Sequence, residues 1–342
     1  MIKKCYLPII WLFLLVALVV VSISSLALGP AGITIKQTVA IITGGPTYHG
    51  STLFSSAQHR IIWNLRLPRI LTSLVAGMVL AVAGMVYQAL FRNPMADPYV
   101  LGISSGAAFG VAFAAFIGFI GGATGVWQVP LAAFLGAAGT ALCIFFLSGG
   151  IRRSPATLLL TGIALNFLLS ALMTLFMYLN RAQLQSIMQW TLGSFSTSNW
   201  AKLLIISITA TFSIIPIGLL TRELDILLLD EASALSIGVS VRTVRLILLA
   251  LSTLATSITV AFCGIIGFVG LMVPHIMRLI TGPRHAKLLP FSLVGGALMM
   301  VTADTLARTV LGASELPVGI ITAIAGAPLF IVLLINHKRE VR

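Results

Sequence analysis

The chain has 342 residues, of which 58% are apolar and 8% are charged, and its mean hydropathy is +1.09. This composition lies far outside that of water-soluble domains and excludes a soluble enzyme. The net charge of +13 would suggest nucleic acid as the partner of a soluble protein, but membrane proteins concentrate Lys and Arg in their cytoplasmic loops. We therefore predict an all-α integral membrane protein without a nucleic-acid partner.

Long apolar stretches predict about ten transmembrane helices. In chain order they cover residues 7–28, 68–91, 99–121, 127–148, 156–179, 201–221, 244–265, 267–281, 288–310 and 317–336. The eighth stretch is short and contains Pro274 and Arg278, which is typical of a broken helix. The first stretch is longer than the apolar region of a signal peptide, so we predict that it is an uncleaved span.

The distribution of charge predicts the orientation. Placing the N-terminus in the cytoplasm puts most of the 21 Lys and Arg residues on the cytoplasmic side, as the positive-inside rule requires. Both termini are then cytoplasmic.

Five spans in each half would invert the second half, about 201–342, relative to the first, about 1–200, within one transmembrane domain. Many transporters are built from such inverted repeats. A glycine precedes a proline by ten residues in both halves, at Gly84 and Pro94 and at Gly264 and Pro274. This spacing is a weak echo of such a repeat and does not establish one.

Signatures of catalysis and metal binding are weak. No Lys follows a Gly, so the Gly-Lys-Ser/Thr of a phosphate-binding loop is absent and the chain is not expected to hydrolyse ATP. The GISSG at residues 102–106 has the spacing of a nucleophile elbow, which requires a preceding strand and a nearby base. His49 and His59 are expected at the surface, and the three cysteines (Cys5, Cys143 and Cys263) are far apart. We predict no catalytic residue, no metal and no cofactor.

The predicted cytoplasmic connection at residues 221–243, hereafter the coupling segment, differs from the other loops. It contains half of the eight acidic residues of the chain, interleaved with leucine and alanine. This pattern predicts short amphipathic helices at the membrane surface, and it favours a docking surface for a cytoplasmic partner over a solvated loop. The residues assigned to docking are Leu224, Asp225, Asp230, Glu231, Ala232, Leu235 and Gly238.

Three arginines depart from the positive-inside pattern. Arg66 and Arg69 flank Pro68, which suits the first position of the second span and leaves both arginines at its outer end. Arg308 lies at the outer end of the ninth span, just before Glu315. These side chains could reach into the lipid headgroups. We favour an electropositive outer rim that receives carboxylates of an extracytoplasmic protein.

Four stretches carry a resemblance to a known family. They are LRLPR at 65–69, QALFRNPMADPYVLGISSG at 88–106, GIIGFVGLMVPHIMR at 264–278 and ADTLARTVLGASELPVGIITAIAGAP at 303–328. In these stretches the chain resembles the permease subunits of type II binding-protein-dependent ABC importers for iron-siderophore, haem and cobalamin. The resemblance runs from about Arg60 to the C-terminus.

The resemblance implies a multi-pass protein of a bacterial or archaeal plasma (inner) membrane. Two permease subunits, here expected to form a homodimer, would enclose a pathway above two cytoplasmic ATP-binding subunits. An extracytoplasmic binding protein would deliver an iron chelate, with a siderophore favoured over haem or cobalamin. In relatives, the arginines that match Arg66, Arg69 and Arg308 pair with glutamates of the binding protein.

The resemblance also implies roles at the cytoplasmic side. The stretch around 224–239 is similar to the coupling helices that contact the ATPase. The loop with Asn93 and Met95 is similar to an inner gate, and the turn at Ser154 and Pro155 lies beside it by topology. The alternative function is an ion-coupled secondary transporter, which would place ionisable residues such as Asp304 at mid-membrane. An intramembrane hydrolase is a third option, and it lacks a base near the serine of GISSG.

Overall fold

The computed structural model describes residues 6–29, 31–46, 53–120, 127–149, 155–229, 234, 236, 238–311 and 314–340. These residues form thirteen α-helices and no β-strand, which confirms the all-α prediction. The helices are α1 (Leu7–Ala27), α2 (Ile35–Gly44), α3 (Ser56–Leu90), α4 (Ile103–Phe116), α5 (Gln128–Leu147), α6 (Pro155–Leu179), α7 (Leu184–Thr191), α8 (Trp200–Leu219), α9 (Thr221–Ile226), α10 (Val241–Cys263), α11 (Val269–Thr281), α12 (His285–Thr309) and α13 (Val318–Glu340).

The ten predicted spans all coincide with helices. Seven of the described helices, α1, α3, α5, α6, α8, α10 and α12, are long and apolar enough to cross a membrane. The other three spans fall on the shorter apolar helices α4 and α11 and on the apolar part of α13, Val318–Val332. The chain is therefore a multi-pass membrane protein, and ten is an approximate count of its crossings.

Helix α3 is longer than predicted because it starts before Pro68. The side chain of Ser55 accepts a hydrogen bond from the N–H of Gln58, and the Gln58 side chain accepts one from the N–H of Ser55, a capping box that opens the helix. Residues Ile61–Arg66 are π-helical. The wider turn lies directly ahead of Pro68, whose ring cannot fit the regular helical hydrogen-bond pattern. Pro68 therefore lies in the first turn of the α-helical part, Leu67–Leu90, as predicted, and the π-helical turn extends the helix before it.

Helix α3 is the central element, packed against α8, α10, α11 and α12. Two of its glycines let other backbones touch it. A Cβ atom on Gly77 would lie 2.1 Å from the carbonyl oxygen of Gly296 in α12, and one on Gly84 would lie 1.8 Å from that of Gly270 in α11. Such small-residue contacts are how helices approach closely in lipid. The glycines at these positions therefore set the spacing of the bundle.

The ten-residue spacing between glycine and proline does not mark equivalent positions. Gly84 lies inside α3, whereas Gly264 ends α10 with a left-handed φ of +73°. Pro94 lies in a loop, whereas Pro274 lies inside α11. The interpretation of this spacing as a repeat is wrong, and the inverted halves stay a prediction that rests on the span count.

The expected surface position of His59 is also wrong. Its side chain is buried, its Nε2 lies 3.0 Å from the carbonyl oxygen of Gly45, and its ring packs between Phe54 and Trp63. It belongs to a small apolar cluster formed by the chain between α1 and the start of α3. His49 lies outside the described residues.

We predict that Gly84→Ala destabilises the protein by about 3 kcal/mol, because overpacked contacts cost roughly this much and a backbone carbonyl cannot move aside as a side chain can. The matched control is Gly139→Ala, since a Cβ atom at Gly139 of α5 meets nothing within 4 Å. The measurement is the loss of monodisperse protein on heating in detergent. Equal stability of the two variants would contradict the packing role of Gly84.

Candidate functional site

At one end of the helices, five charged side chains form the arginine cluster: Arg66, Arg69, Asp304, Arg308 and Glu315. Arg69 is its centre. Its Nε and Nη2 donate to the carboxylate of Asp304 at 2.8–3.1 Å, and its Nη1 donates to the carboxylate of Glu315 at 2.8 and 3.0 Å. The Nε of Arg308 lies 3.3 Å from Asp304 Oδ2. Two guanidinium groups thus share one buried carboxylate.

The same cluster holds the end of α1. Arg66 Nη1 donates to the carbonyl oxygens of Leu26 and Ala27 at 2.6 and 2.9 Å. Arg308 Nη2 donates to the hydroxyl and the carbonyl oxygen of Ser25 at 2.6 and 3.1 Å. Carbonyl groups in the last turn of a helix lack helical partners and carry a partial negative charge. Two arginines satisfy these groups and tie α1 to α3 and α12.

Burial changes how the predicted docking arginines must be interpreted. Arg66, Arg69 and Arg308 are only 6%, 9% and 6% exposed. Their guanidinium groups contact acceptors of their own chain and do not extend into the surroundings. The outward-facing member of the cluster is Glu315, whose side chain is 49% exposed. Docking of a partner on these arginines stays a prediction, and it requires that Glu315 share or leave Arg69.

At the opposite end of α3 and α12, the coupling segment begins with α9. Asp225 Oδ1 accepts hydrogen bonds from the backbone N–H of His285 at 3.0 Å and from His285 Nδ1 at 2.6 Å. On the other side, Arg92 Nε donates to the carbonyl oxygen of Leu227 at 3.0 Å, and its Nη2 donates to that of Leu229. The start of the segment is therefore attached to residues that flank α3 and α12.

The predicted coupling residues fall into three groups. Leu224 is fully buried in the core, and Asp225 is the partner of His285. Gly238 forms a turn with a left-handed φ of +84°. The remaining four, Asp230, Glu231, Ala232 and Leu235, lie outside the described residues. Leu228 and Leu229 are 43% and 45% exposed, so the described part of the segment offers an apolar surface beside buried anchors.

Two of the predicted gate residues, Asn93 and Met95, follow Arg92, which bonds the coupling segment. The Asn93 side chain accepts a hydrogen bond from the N–H of Met95 at 2.9 Å, which closes a turn after α3. Met95 is 40% exposed. Pro155 is the first residue of α6, where a proline fits the helix geometry, and Ser154 lies outside the described residues. Their role as a gate stays a prediction.

A cavity of about 630 Å³ opens beside this turn. Residues of α4, α6 and α11 line it, including Ser104, Ser105, Asn166 and Ser170, and its described lining contains no Lys, Arg or His. Asp97 also lines it. The cavity therefore presents a mainly apolar surface, which includes Phe167, Phe268 and Phe330, together with hydroxyl and amide groups and one carboxyl. Ser104 lies in the first turn of α4 with no strand before it in the described chain, so the nucleophile elbow is not formed.

Sequence reasoning missed the contacts that join distant parts of the chain. Gln88 near the end of α3 donates through Nε2 to the carbonyl oxygen of Leu271 at 3.0 Å and accepts from Arg278 Nη1 at 3.0 Å. The contacts of Arg92 and His285 with the coupling segment were missed as well. The signal for each is weak, because a single polar residue at a span end does not identify its partner.

Three comparisons place these features among known proteins. Residues 15–336 match the model of the FecCD transport family. The hemin transport system permease protein HmuU of Yersinia pestis is 37% identical over 335 residues, which are 96% of each chain. The vitamin B12 import system permease protein BtuC of Vibrio cholerae is 39% identical over 286 residues, 83% of this chain and 86% of that one.

A solved structure agrees with the sequence matches. An inward-facing conformation of a metal-chelate type ABC transporter is 35% identical and superposes with a TM-score of 0.82, covering 96% of this chain and 99% of that chain. The fold and the sequence family therefore coincide over nearly the whole chain.

We predict that Asp304→Asn destabilises the protein by about 3–5 kcal/mol, because it leaves two buried guanidinium groups without their shared carboxylate. The control is Glu315→Gln, which removes a half-exposed carboxylate from the same arginine and should cost about 1 kcal/mol or less. Thermal unfolding in detergent measures both. Equal losses would show that Asp304 is not the principal counter-ion.

Proposed function

The chain belongs to the FecCD transport family, whose members are ABC permease subunits, and from this premise we propose that it translocates an iron(III) chelate by alternating access. It is the permease component of an ABC importer for haem, cobalamin or metal chelates. Within that range we propose a siderophore complex as the substrate. The strongest single support is the family match over residues 15–336, because it spans both ends of the helices and every site described above.

The proposed assembly contains two copies of this permease, two cytoplasmic ATP-binding subunits and an extracytoplasmic binding protein. The coupling segment supports the proposal that an ATPase binds at its end of the helices. Its exposed Leu228 and Leu229 follow directly after buried Leu227, so an apolar surface is held firmly on the core. We expect ATP-driven movement of the partner to act there.

The arginine cluster is the proposed docking site of the binding protein. Arg69 Nη1 is paired with the half-exposed Glu315, and a carboxylate of a partner could occupy the same position. Charge-assisted hydrogen bonds of arginine with carboxylate are strong and directional. Glu315 would then compete with the partner for Arg69 in the free permease.

The chemistry of the cavity lining indicates which class of substrate the chain can carry. The described lining is mainly apolar, with hydroxyl and amide groups, one carboxyl at Asp97 and no Lys, Arg or His. Such a lining suits a chelate whose ligands already neutralise the iron. A polyanionic substrate would need basic partners at this depth. The lining therefore supports a siderophore complex as the substrate, which the family match leaves open.

A secondary transporter finds less support. Asp304 is shared between Arg69 and Arg308, and Arg278 donates to Gln88. Coupling ions bind at ionisable groups that can exchange partners near mid-membrane. Both candidates are engaged in packing contacts between helices.

The proposal is tested by reconstituting the permease in proteoliposomes with a candidate ATPase and a candidate binding protein, chosen first from any that neighbouring reading frames encode. We expect uptake of a ferric siderophore only with ATP inside and binding protein outside. Haem and cobalamin serve as competing substrates. Uptake of haem or cobalamin in place of the siderophore would contradict only the proposed substrate. Uptake without ATP or without the ATPase would contradict the proposed importer function.

We predict that Glu315→Gln tightens binding of the binding protein to the permease complex several-fold, because it frees Arg69 Nη1. Arg66→Gln should weaken the same binding about tenfold. The control is Arg181→Gln, which removes an exposed cation that lies 5.2 Å from the ring of Tyr178, outside the cluster. Biolayer interferometry on the complex in nanodiscs gives the dissociation constants. Weaker binding by Glu315→Gln would show that Glu315 itself contacts the partner.

A further inference from the structure

The helices α3 and α12 form a pair that reaches both functional ends of the molecule. Their interface is more extensive than that of any other two helices in the described chain. At its middle, a Cβ atom on Gly77 would lie 2.1 Å from Gly296 O, and one on Gly296 would lie 2.2 Å from Gly77 O. No side chain separates the two backbones there, so sliding or tilting of one helix against the other meets direct steric resistance.

At one end of this pair, a buried ion pair joins the two helices. Arg69 belongs to α3 and Asp304 to α12, and three hydrogen bonds of 2.8–3.1 Å join their side chains. Both residues are almost fully buried. A buried, multiply bonded ion pair tolerates little displacement, because separation leaves charges without a partner in an apolar medium.

The other end of the pair is attached to the coupling segment from two sides. Arg92 follows the last turn of α3 and bonds the carbonyl oxygens of Leu227 and Leu229. His285 is the first residue of α12 and bonds Asp225 through its backbone and its ring. The imidazole Nδ1 is the donor, since a carboxylate only accepts.

The backbone of Arg92 supports a specific role for this contact. Its φ is +49°, a left-handed conformation that costs a residue other than glycine roughly 1–3 kcal/mol. Such a conformation persists where surrounding contacts compensate for it. Here it directs the guanidinium group onto the coupling segment while the next residue, Asn93, begins the predicted gate turn.

We propose that Arg92 and the Asp225–His285 pair are positioning residues that fasten the coupling segment to α3 and α12. Through these contacts, the pair of helices transmits movement of the coupling segment to the arginine cluster. The proposal rests on the function proposed above, in which an ATPase contacts the coupling segment and a binding protein docks at the arginines. Energetic coupling is reciprocal. ATP at one end therefore changes the affinity for the binding protein at the other.

The experiment measures the dissociation constant of the binding protein for the complete transporter in nanodiscs, without nucleotide and with ATP plus vanadate. We expect the wild-type values to differ by roughly 5–150-fold, the usual range of allosteric coupling. In Arg92→Met and His285→Phe, which keep the bulk of the side chain and remove the bonds to the segment, the ratio should fall to within about threefold of unity. The nucleotide-free affinity and the basal ATP hydrolysis should change little.

Two variants serve as controls. Lys287→Met removes an exposed cation two residues from His285 and should keep the wild-type ratio, and Arg92→Lys, which retains a donor, should restore part of it. A wild-type ratio near unity, an unchanged ratio in the two variants, or loss of the ATPase from their complexes would each overturn the proposal. Failure of the wild-type permease to hold any ATPase would instead contradict the proposed function.

Discussion

Direct contact between helix backbones is the constraint on which this structure depends. In a bilayer, lipid tails are as apolar as leucine, so helices gain little from simple hydrophobic burial and associate through close packing and hydrogen bonds. Gly77 and Gly84 bring α12 and α11 onto α3 at distances that no side chain would allow. The positions of the arginine cluster and of the coupling segment follow from this contact, because both are built on the ends of α3 and α12.

The buried charges are tolerable because each has a partner. Arg69 and Arg308 share Asp304, Arg66 bonds the last carbonyl groups of α1, and Arg278 bonds Gln88. An unpaired charge in this environment would cost several kcal/mol. These contacts join α1, α3, α11 and α12 to one another at the ends of the helices.

Much of the fold could be predicted from the sequence, because length and hydropathy determine which segments enter the bilayer. The predicted spans fall on helices, and residues 221–243 stood out through their acidic and leucine-rich pattern. The start of α3 was missed, since the π-helical turn that accommodates Pro68 has no sequence signature. The burial of His59 was missed because its partners lie in an irregular segment.

The details of the sites could not be predicted, because they depend on contacts between distant residues. Arg69 and Glu315 are 246 residues apart, and Asp225 and His285 are 60 apart. The positive-inside rule identified Arg66, Arg69 and Arg308 as unusual, because they lie at the predicted outer ends of their spans. It could not show that they face inward, onto acceptors of their own chain.

The central claim is that this permease receives one partner at the arginine cluster and another at the coupling segment. The most direct test is a cryo-EM structure of the permease purified with the ATPase and the binding protein. We expect the coupling segment to lie in a cleft of the ATPase, and acidic residues of the binding protein to lie against Arg66, Arg69 and Arg308 across the membrane. A complex in which both proteins contact other surfaces, or a permease that retains neither, would contradict the account.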